Sequence, residues 1–197
     1  MIPSQGTQHP VSQTAYMHRG TSPYTIWYAG CQNQTAFSTR ALIVDTLTAY
    51  EIVLSRPVVL SKISFEITTS GGAGSKTRCG IYRATSLTNT YPSSLVVDGG
   101  EKDTTVAASV QTTASLSVAM PAGNYWLTFN CGTAAPTLRA IPAGGQSSLM
   151  GADASTLISL GGRITVASAY AALPATFPAG GAIPAGGNNH VIALELS

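Results

Sequence analysis

Charge is what this sequence most lacks. Of its 197 residues ten are Lys or Arg and eight are Asp or Glu. That is 9% of the chain, against roughly 25% in an average soluble protein. Ser, Thr, Ala, Gly and Asn stand where charged side chains usually do. Such a surface is weakly hydrated and weakly self-repelling, which suits a protein packed in an assembly and also a stable secreted domain. The net charge is +2, and Arg19, Arg40, Arg56, Lys62, Lys76, Arg78, Arg83, Lys102, Arg139 and Arg163 are scattered. Nucleic-acid binders cluster their cations to displace counterions, so no nucleic-acid partner is expected. Disorder fits poorly as well, because disordered chains are charge-rich and short of β-branched residues.

Other absences narrow the field further. No apolar run approaches the ~18 residues of a membrane span, and the start MIPSQGTQHP has neither a charged nor an apolar leader region. The expectation is a chain made in the cytoplasm, with no membrane insertion. Cys31, Cys79 and Cys131 are widely spaced with no CxxC, and His9, His18 and His190 share no metal-ligand spacing. No metal or cofactor is expected, and Cys79, inside the apolar run TRCGIY, is expected to act as a small core hydrophobe.

What is present has a period of two. Ile63, Phe65 and Ile67 alternate with Ser64, Glu66 and Thr68; Tyr125, Leu127 and Phe129 alternate with Trp126, Thr128 and Asn130; Ile192, Leu194 and Leu196 alternate with Ala193 and Glu195. Further strands are predicted over 24–29, 48–54, 77–83, 94–98, 104–110, 114–120, 136–141 and 163–168, each rich in Val, Ile, Thr or Tyr. SGGAGS at 70–75, NTYPSS at 89–94 and the DGG of 98–100 separate them as breakers. No window supports an amphipathic helix. Short strands at intervals of about ten residues predict an all-β sandwich or barrel. Pro-Ala-Gly followed by Gly or Asn recurs at 121–124, 142–145, 178–181 and 184–187. Each copy predicts a tight turn, proline presetting φ and glycine accepting the positive φ that follows, and the doubled copy at 177–187 predicts a loop before the last strand. Residues 1–23 are polar and rich in Gln, Ser, Thr and Pro. They predict an extended docking arm, and 24–197 the β-sandwich. An isolated polar arm frays, so a partner subunit is expected to hold it.

The stretch from Lys62 to Arg139 has further order: Gly71 to Gly74, Arg78 with Gly80 to Tyr82, Tyr91-Pro92, Leu95 to Gly99, and Gly123 to Leu127. Leu149-Met150-Gly151 and Ala172 to Pro178 continue it. In these elements residues 45–197 resemble a jelly-roll-like β-sandwich module of bacteriophage tail-fibre, baseplate and other virion structural proteins. Cys79 departs from the pattern, standing where an aliphatic residue is usual. The long shaft that carries such modules in fibres is also missing. The 23-residue arm reaches about 76 Å when fully extended, enough to clamp a neighbour but not to build a long fibre.

No enzymatic motif is complete in this sequence. SGGAGSKT lacks the glycines of a P-loop and runs into a strand, not a helix. No serine sits in a G-x-S-x-G elbow. Glycosidases need two carboxylates ~5–10 Å apart; Asp45, Glu51, Glu66, Asp98, Glu101, Asp103, Asp153 and Glu195 are the ones available. The densest group, Asp98 to Asp103, predicts an exposed hairpin turn, with weak Ca²⁺ binding as the alternative. Two sets of aromatics stand out instead. Tyr16, Met17, Tyr24, Trp27 and Tyr28, in and just after the arm, are candidate anchors for a neighbouring subunit. Tyr91, Trp126 and Tyr170 are candidate stacking platforms for a glycan, with core packing the alternative for Trp126.

The resemblance implies a non-enzymatic virion protein. It would be a surface decoration or cement subunit, arm-anchored on other virion proteins and packed as a homotrimer. The alternative is a short tail fibre or receptor-binding tip whose loops grip a host glycan.

Overall fold

A computed structural model describes residues 18–19, 24–26, 37–54, 56–86, 89, 91–142, 163–184 and 187–196. These form fourteen strands and no helix: β1 (His18–Arg19), β2 (Tyr24–Ile26), β3 (Ser38–Ala41), β4 (Thr46–Leu54), β5 (Val58–Thr69), β6 (Lys76–Ala84), β7 (Pro92–Asp103), β8 (Ser109–Thr112), β9 (Val118–Met120), β10 (Gly123–Gly132), β11 (Thr137–Ile141), β12 (Arg163–Ala167), β13 (Asn189–His190) and β14 (Ala193–Leu196). They build a two-sheet antiparallel β-sandwich, as the period-two pattern predicted.

The smaller sheet has the order β12-β4-β10-β6-β7. The larger follows the path β1-β2-β14-β5-β11-β13, with β3 joined to β11, and β8 and β9 to β5. β5 is its spine. Ser64 pairs with Thr112 of β8 on one edge and Ala193 of β14 on the other, and Leu60 likewise pairs with Val118 and Leu196. Between His190, paired with Ala140 of β11, and Ala193, paired with Ser64 of β5, the chain crosses from one strand to the other.

The alternating apolar side chains meet between the sheets. Tyr50, Ile52, Ile81, Leu127 and Phe129 pack from the smaller sheet against Ile63, Phe65, Ile67, Leu138 and Leu194 from the larger. Each such side chain, fully buried, contributes about 1.5–3 kcal/mol. Phe65 and Phe129 meet edge to face, ring centres 5.1 Å apart. Cys79 is buried in this layer, as expected.

The smaller sheet is also covered on its other face. Leu47, Ala49, Tyr82, Trp126 and Ile164 form a second apolar layer with Leu173 and Phe177. Those last two project from the irregular segment 168–183, a strap laid across β4, β10 and β6. Polar contacts fasten it: Tyr82 Oη donates to Pro174 O (2.8 Å), and Leu95 N to Ala175 O (2.9 Å). Phe177 N donates to Ser93 O (2.7 Å), and Thr165 and Ala182 exchange both backbone bonds. At Ser93 and Leu95 the strap also covers the edge of β7, where unpaired backbone would otherwise invite another strand. Gly80 shows how closely it lies, because a Cβ there would stand 2.4 Å from Leu173 Cδ1 and 2.5 Å from Val97 O.

Three expectations are corrected. The DGG of 98–100 and the Asp98–Asp103 group are not a turn; they run inside β7. Gly100 takes φ +81° where the pairing with β6 slips register, so glycine serves a bulge and not a reversal. The 104–110 strand is reduced to β8, because Thr104 bonds back to Ser75 O and Gly71 N in the crossing between sheets. The 114–120 strand is reduced to β9. Of the Pro-Ala-Gly copies, Gly123, Gly180 and Gly187 have positive φ; most of the 142–145 copy lies outside the described residues.

Phe177→Ala should lower unfolding free energy by about 3–5 kcal/mol in a denaturant titration, the usual cost of emptying an aromatic site. Gly80→Ala should cost about 1–3 kcal/mol by overpacking against Leu173 and Val97. Losses well under 1 kcal/mol at both positions would mean the strap is not part of the cooperative core.

Candidate interaction surfaces

Tyr16, Met17, Trp27 and Tyr28 lie outside the described residues. Tyr24 opens β2, and its backbone pairs with Glu195 of β14. The boundary set at 23/24 falls between β1 and β2, which pair His18 with Ile26 and Arg19 with Thr25.

The three candidate glycan aromatics are committed to the fold in different degrees. Trp126 is 0% exposed beneath Leu173 and Phe177, so it offers no face to a sugar, and core packing replaces that expectation. Its neighbours alternate as predicted, but the face opposite Tyr125 and Leu127 meets the strap and not solvent. Tyr91 is half-buried, its ring edge-on to Phe177. Its hydroxyl donates to Pro178 O (2.8 Å) and accepts from Gly181 N (2.9 Å). Tyr170 is also half-buried. Its ring rests on Gly132, its N–H donates to Asp45 Oδ1 (2.9 Å), and its hydroxyl donates to Glu101 Oε2 (3.0 Å). Burial pushes the Tyr170 phenol up, and the bond to Glu101 adds to that.

Asp98, weighed for Ca²⁺, has donors on both oxygens. Arg78 Nη1 (2.9 Å) and Leu173 N (3.1 Å) reach Oδ2, and Gly100 N (2.8 Å) reaches Oδ1. Among the described residues no group of three or more His, Cys, Asp or Glu is arranged to hold a metal ion.

The outward face of the larger sheet carries a shallow apolar groove of about 270 Å³. Phe37 before β3 and Val110 of β8, 49% and 66% exposed, flank it. Val191 and Ala193 line it, and Arg139 and Glu66 form its polar rim. That pair is bidentate, with Arg139 Nε to Glu66 Oε2 at 3.0 Å and Nη2 to Oε1 at 2.5 Å. It holds the Glu66 carboxyl below its ordinary range. Sequence reasoning missed this surface, because β3 had no predicted strand and Phe37 stands alone in a polar stretch.

No family model, curated protein or solved structure matches this chain.

His190, Tyr50, Cys79 and Cys131 are all buried. His190 Nε2 lies 3.0 Å from Arg40 O, a carbonyl that only accepts, so Nε2 carries the proton. Nδ1 is then the acceptor for the Tyr50 hydroxyl, 2.5 Å away. Burial holds the ring neutral down to about 3, and it pushes the Tyr50 phenol and the Cys79 and Cys131 thiols up to about 12. None of these is poised for proton transfer or nucleophilic attack near neutrality. Glu51, opposite Trp126 in the β4–β10 pairing, is 7% exposed, and its Oε2 has no hydrogen-bond partner. Burial pushes its carboxyl up to about 7.

Two pH limits follow. His190 titrates lower folded than unfolded, so its share of stability is complete above the ordinary histidine range near 6.5 and is lost as pH falls toward about 3. Glu51 titrates higher folded than unfolded, so its share is complete below its ordinary value of 4.5 and is lost as pH rises through about 7. Glu51→Gln should therefore raise the melting temperature at pH 8 and change little at pH 4. The gain should be about 2–4 °C for each kcal/mol recovered in a chain of this size. An equal shift at both pH values would show that Glu51 is not the titrating group.

Proposed function

We propose that the chain is a non-enzymatic structural subunit of a bacteriophage particle. In this reading it is a decoration or cement protein whose N-terminal arm docks on other virion proteins and whose sandwich packs beside its own copies as a trimer. The observation that carries the reading is the groove between Phe37 and Val110. A sandwich needs one buried layer between its sheets, and this one adds a second under the strap, yet an apolar strip remains on the outward face of the larger sheet. Aromatic and aliphatic side chains beside a single rim ion pair match the composition of subunit contacts. The sparse charge agrees, since few ions need desolvating when copies pack together. The resemblance of residues 45–197 to virion modules supplies the kind of particle, and the locked histidine and thiols fit a role without catalysis.

Three outcomes are expected. Deletion of residues 1–23 abolishes incorporation into particles. Particles lacking the protein still adsorb to host cells but lose resistance to heat or osmotic shock. Val110→Lys combined with Phe37→Ser leaves the purified domain folded by circular dichroism yet reduces its incorporation. Particles that keep their physical stability but fail to adsorb would replace this reading with a receptor-binding fibre. Electron microscopy of labelled particles locates the protein on head or tail in either case.

A further inference from the structure

The end of the smaller sheet opposite Tyr170 holds a crevice of about 380 Å³, within the size range of small-ligand sites. It lies where β6 ends, β7 begins and β10 begins. Unlike the groove on the larger sheet, its lining is mostly polar: Arg83, Thr85, Ser86, Ser93, Ser94 and Asn124. No carboxylate lines it.

Arg83 is the telling residue. Arg78 and Arg139 are each held by an acidic partner, Asp98 and Glu66. Arg83 is exposed and has neither an ion pair nor a hydrogen bond among the described residues. It pairs with Tyr125 across β6 and β10, and Tyr125 is anchored in the core with its hydroxyl on Pro121 O (2.8 Å). The guanidinium is therefore mounted on a rigid strand. The Ser93 and Ser94 hydroxyls and the Asn124 amide are unbonded among the described residues as well. Thr85 Oγ1 is already used on Tyr91 O, and Ser86 Oγ accepts from Asn89 N. The crevice is thus lined by one arginine, two serines and an asparagine on three adjacent strands, Arg83 and Ser94 exposed and Ser93 and Asn124 half-buried.

We propose that this crevice binds a carboxylated sugar unit, a uronic or nonulosonic acid, with Arg83 clasping the carboxylate and Ser93, Ser94 and Asn124 taking ring hydroxyls. A guanidinium fork matches a carboxylate in two parallel bonds, and the hydroxyls and amide both donate and accept, as sugar hydroxyls require. One isolated cation suits a monoanion, whereas a polyanion would call for several. The inference stands on the crevice alone and holds whether or not the chain belongs to a virion.

The test uses the purified full chain in a titration followed by NMR, with glucuronate and N-acetylneuraminate as probes and glucose and acetate as controls. The expected result is saturable binding of at least one acidic sugar, with shifts centred on Arg83, Ser94 and Asn124. Glucose should bind more weakly because it leaves the cation unpaired, and acetate because it leaves the hydroxyls and amide unused. Arg83→Gln should weaken the acidic sugar by about ten-fold or more, the value of a charge-assisted pair, with an unchanged melting temperature. Asn124→Ala should weaken it less. A uronate-terminated oligosaccharide that binds better than the free monosaccharide would assign the ligand to a polysaccharide end; equal affinity would assign it to the free sugar acid. No saturable binding of either acidic sugar, equal binding by Arg83→Gln, or acetate binding as well as the sugars would each overturn the proposal.

Discussion

The structure depends on covering both faces of one five-stranded sheet. β10 is buried over almost its whole length, and a strand so placed has no side on which a polar group can meet water. The strap makes this workable. Leu173 and Phe177 supply the apolar cover, and the strap's backbone carbonyls take the polar atoms that would otherwise be stranded: Pro174 O for Tyr82, Ser168 O and Ala169 O for Asn130. A peptide segment without regular structure suits this task, because its carbonyls are not committed to a ladder and can turn toward whatever donors the sheet presents.

The same economy governs the polar residues inside the sandwich. Tyr50, His190 and the Arg40 carbonyl form a closed chain of donors and acceptors in which each member has one assignable role. Close by, Arg163 directs Nη1 toward Gly187 O and Asn189 Oδ1, both at 3.4 Å. These links tie β3, β4, β12 and β13 together. The economy is incomplete: Glu51 Oε2, Arg78 Nε, Asn130 Oδ1 and Arg163 Nε are buried without a partner, and the Glu51 carboxyl costs stability once it ionises.

Much of the architecture was legible in the sequence because burial between two sheets imposes a period of two, and Ile63-Phe65-Ile67 and Tyr125-Leu127-Phe129 display it. The strap was not legible. Its two anchors are single apolar residues in a run of Ala, Pro and Gly, and nothing local distinguishes a residue that caps a sheet from one in a solvated loop. Trp126 was ambiguous for the same reason, since its environment is decided by residues about 50 positions away. Asp98-Gly-Gly misled because glycine beside an acid serves a turn and a bulge equally well. Neither interaction surface could be seen: the groove joins Phe37 to Val110 and Val191, and the crevice joins Arg83 to Ser94 and Asn124, contacts that exist only after the strands pair.

The crossing of the chain from β11 to β5 has a consequence for the order of assembly. Among the described residues β2 pairs with β1 on one side and with β14 on the other, with Leu194 against Thr25 and Glu195 against Tyr24. Those partners are separated by nearly the whole described chain, so their pairing closes the longest loop among the described strand pairs and contributes few bonds in return. Such contacts form after the local ones and open before them. The β1–β2 pair is thus attached to the sheet by long-range contacts at β14, the class of contact that closes late and opens early.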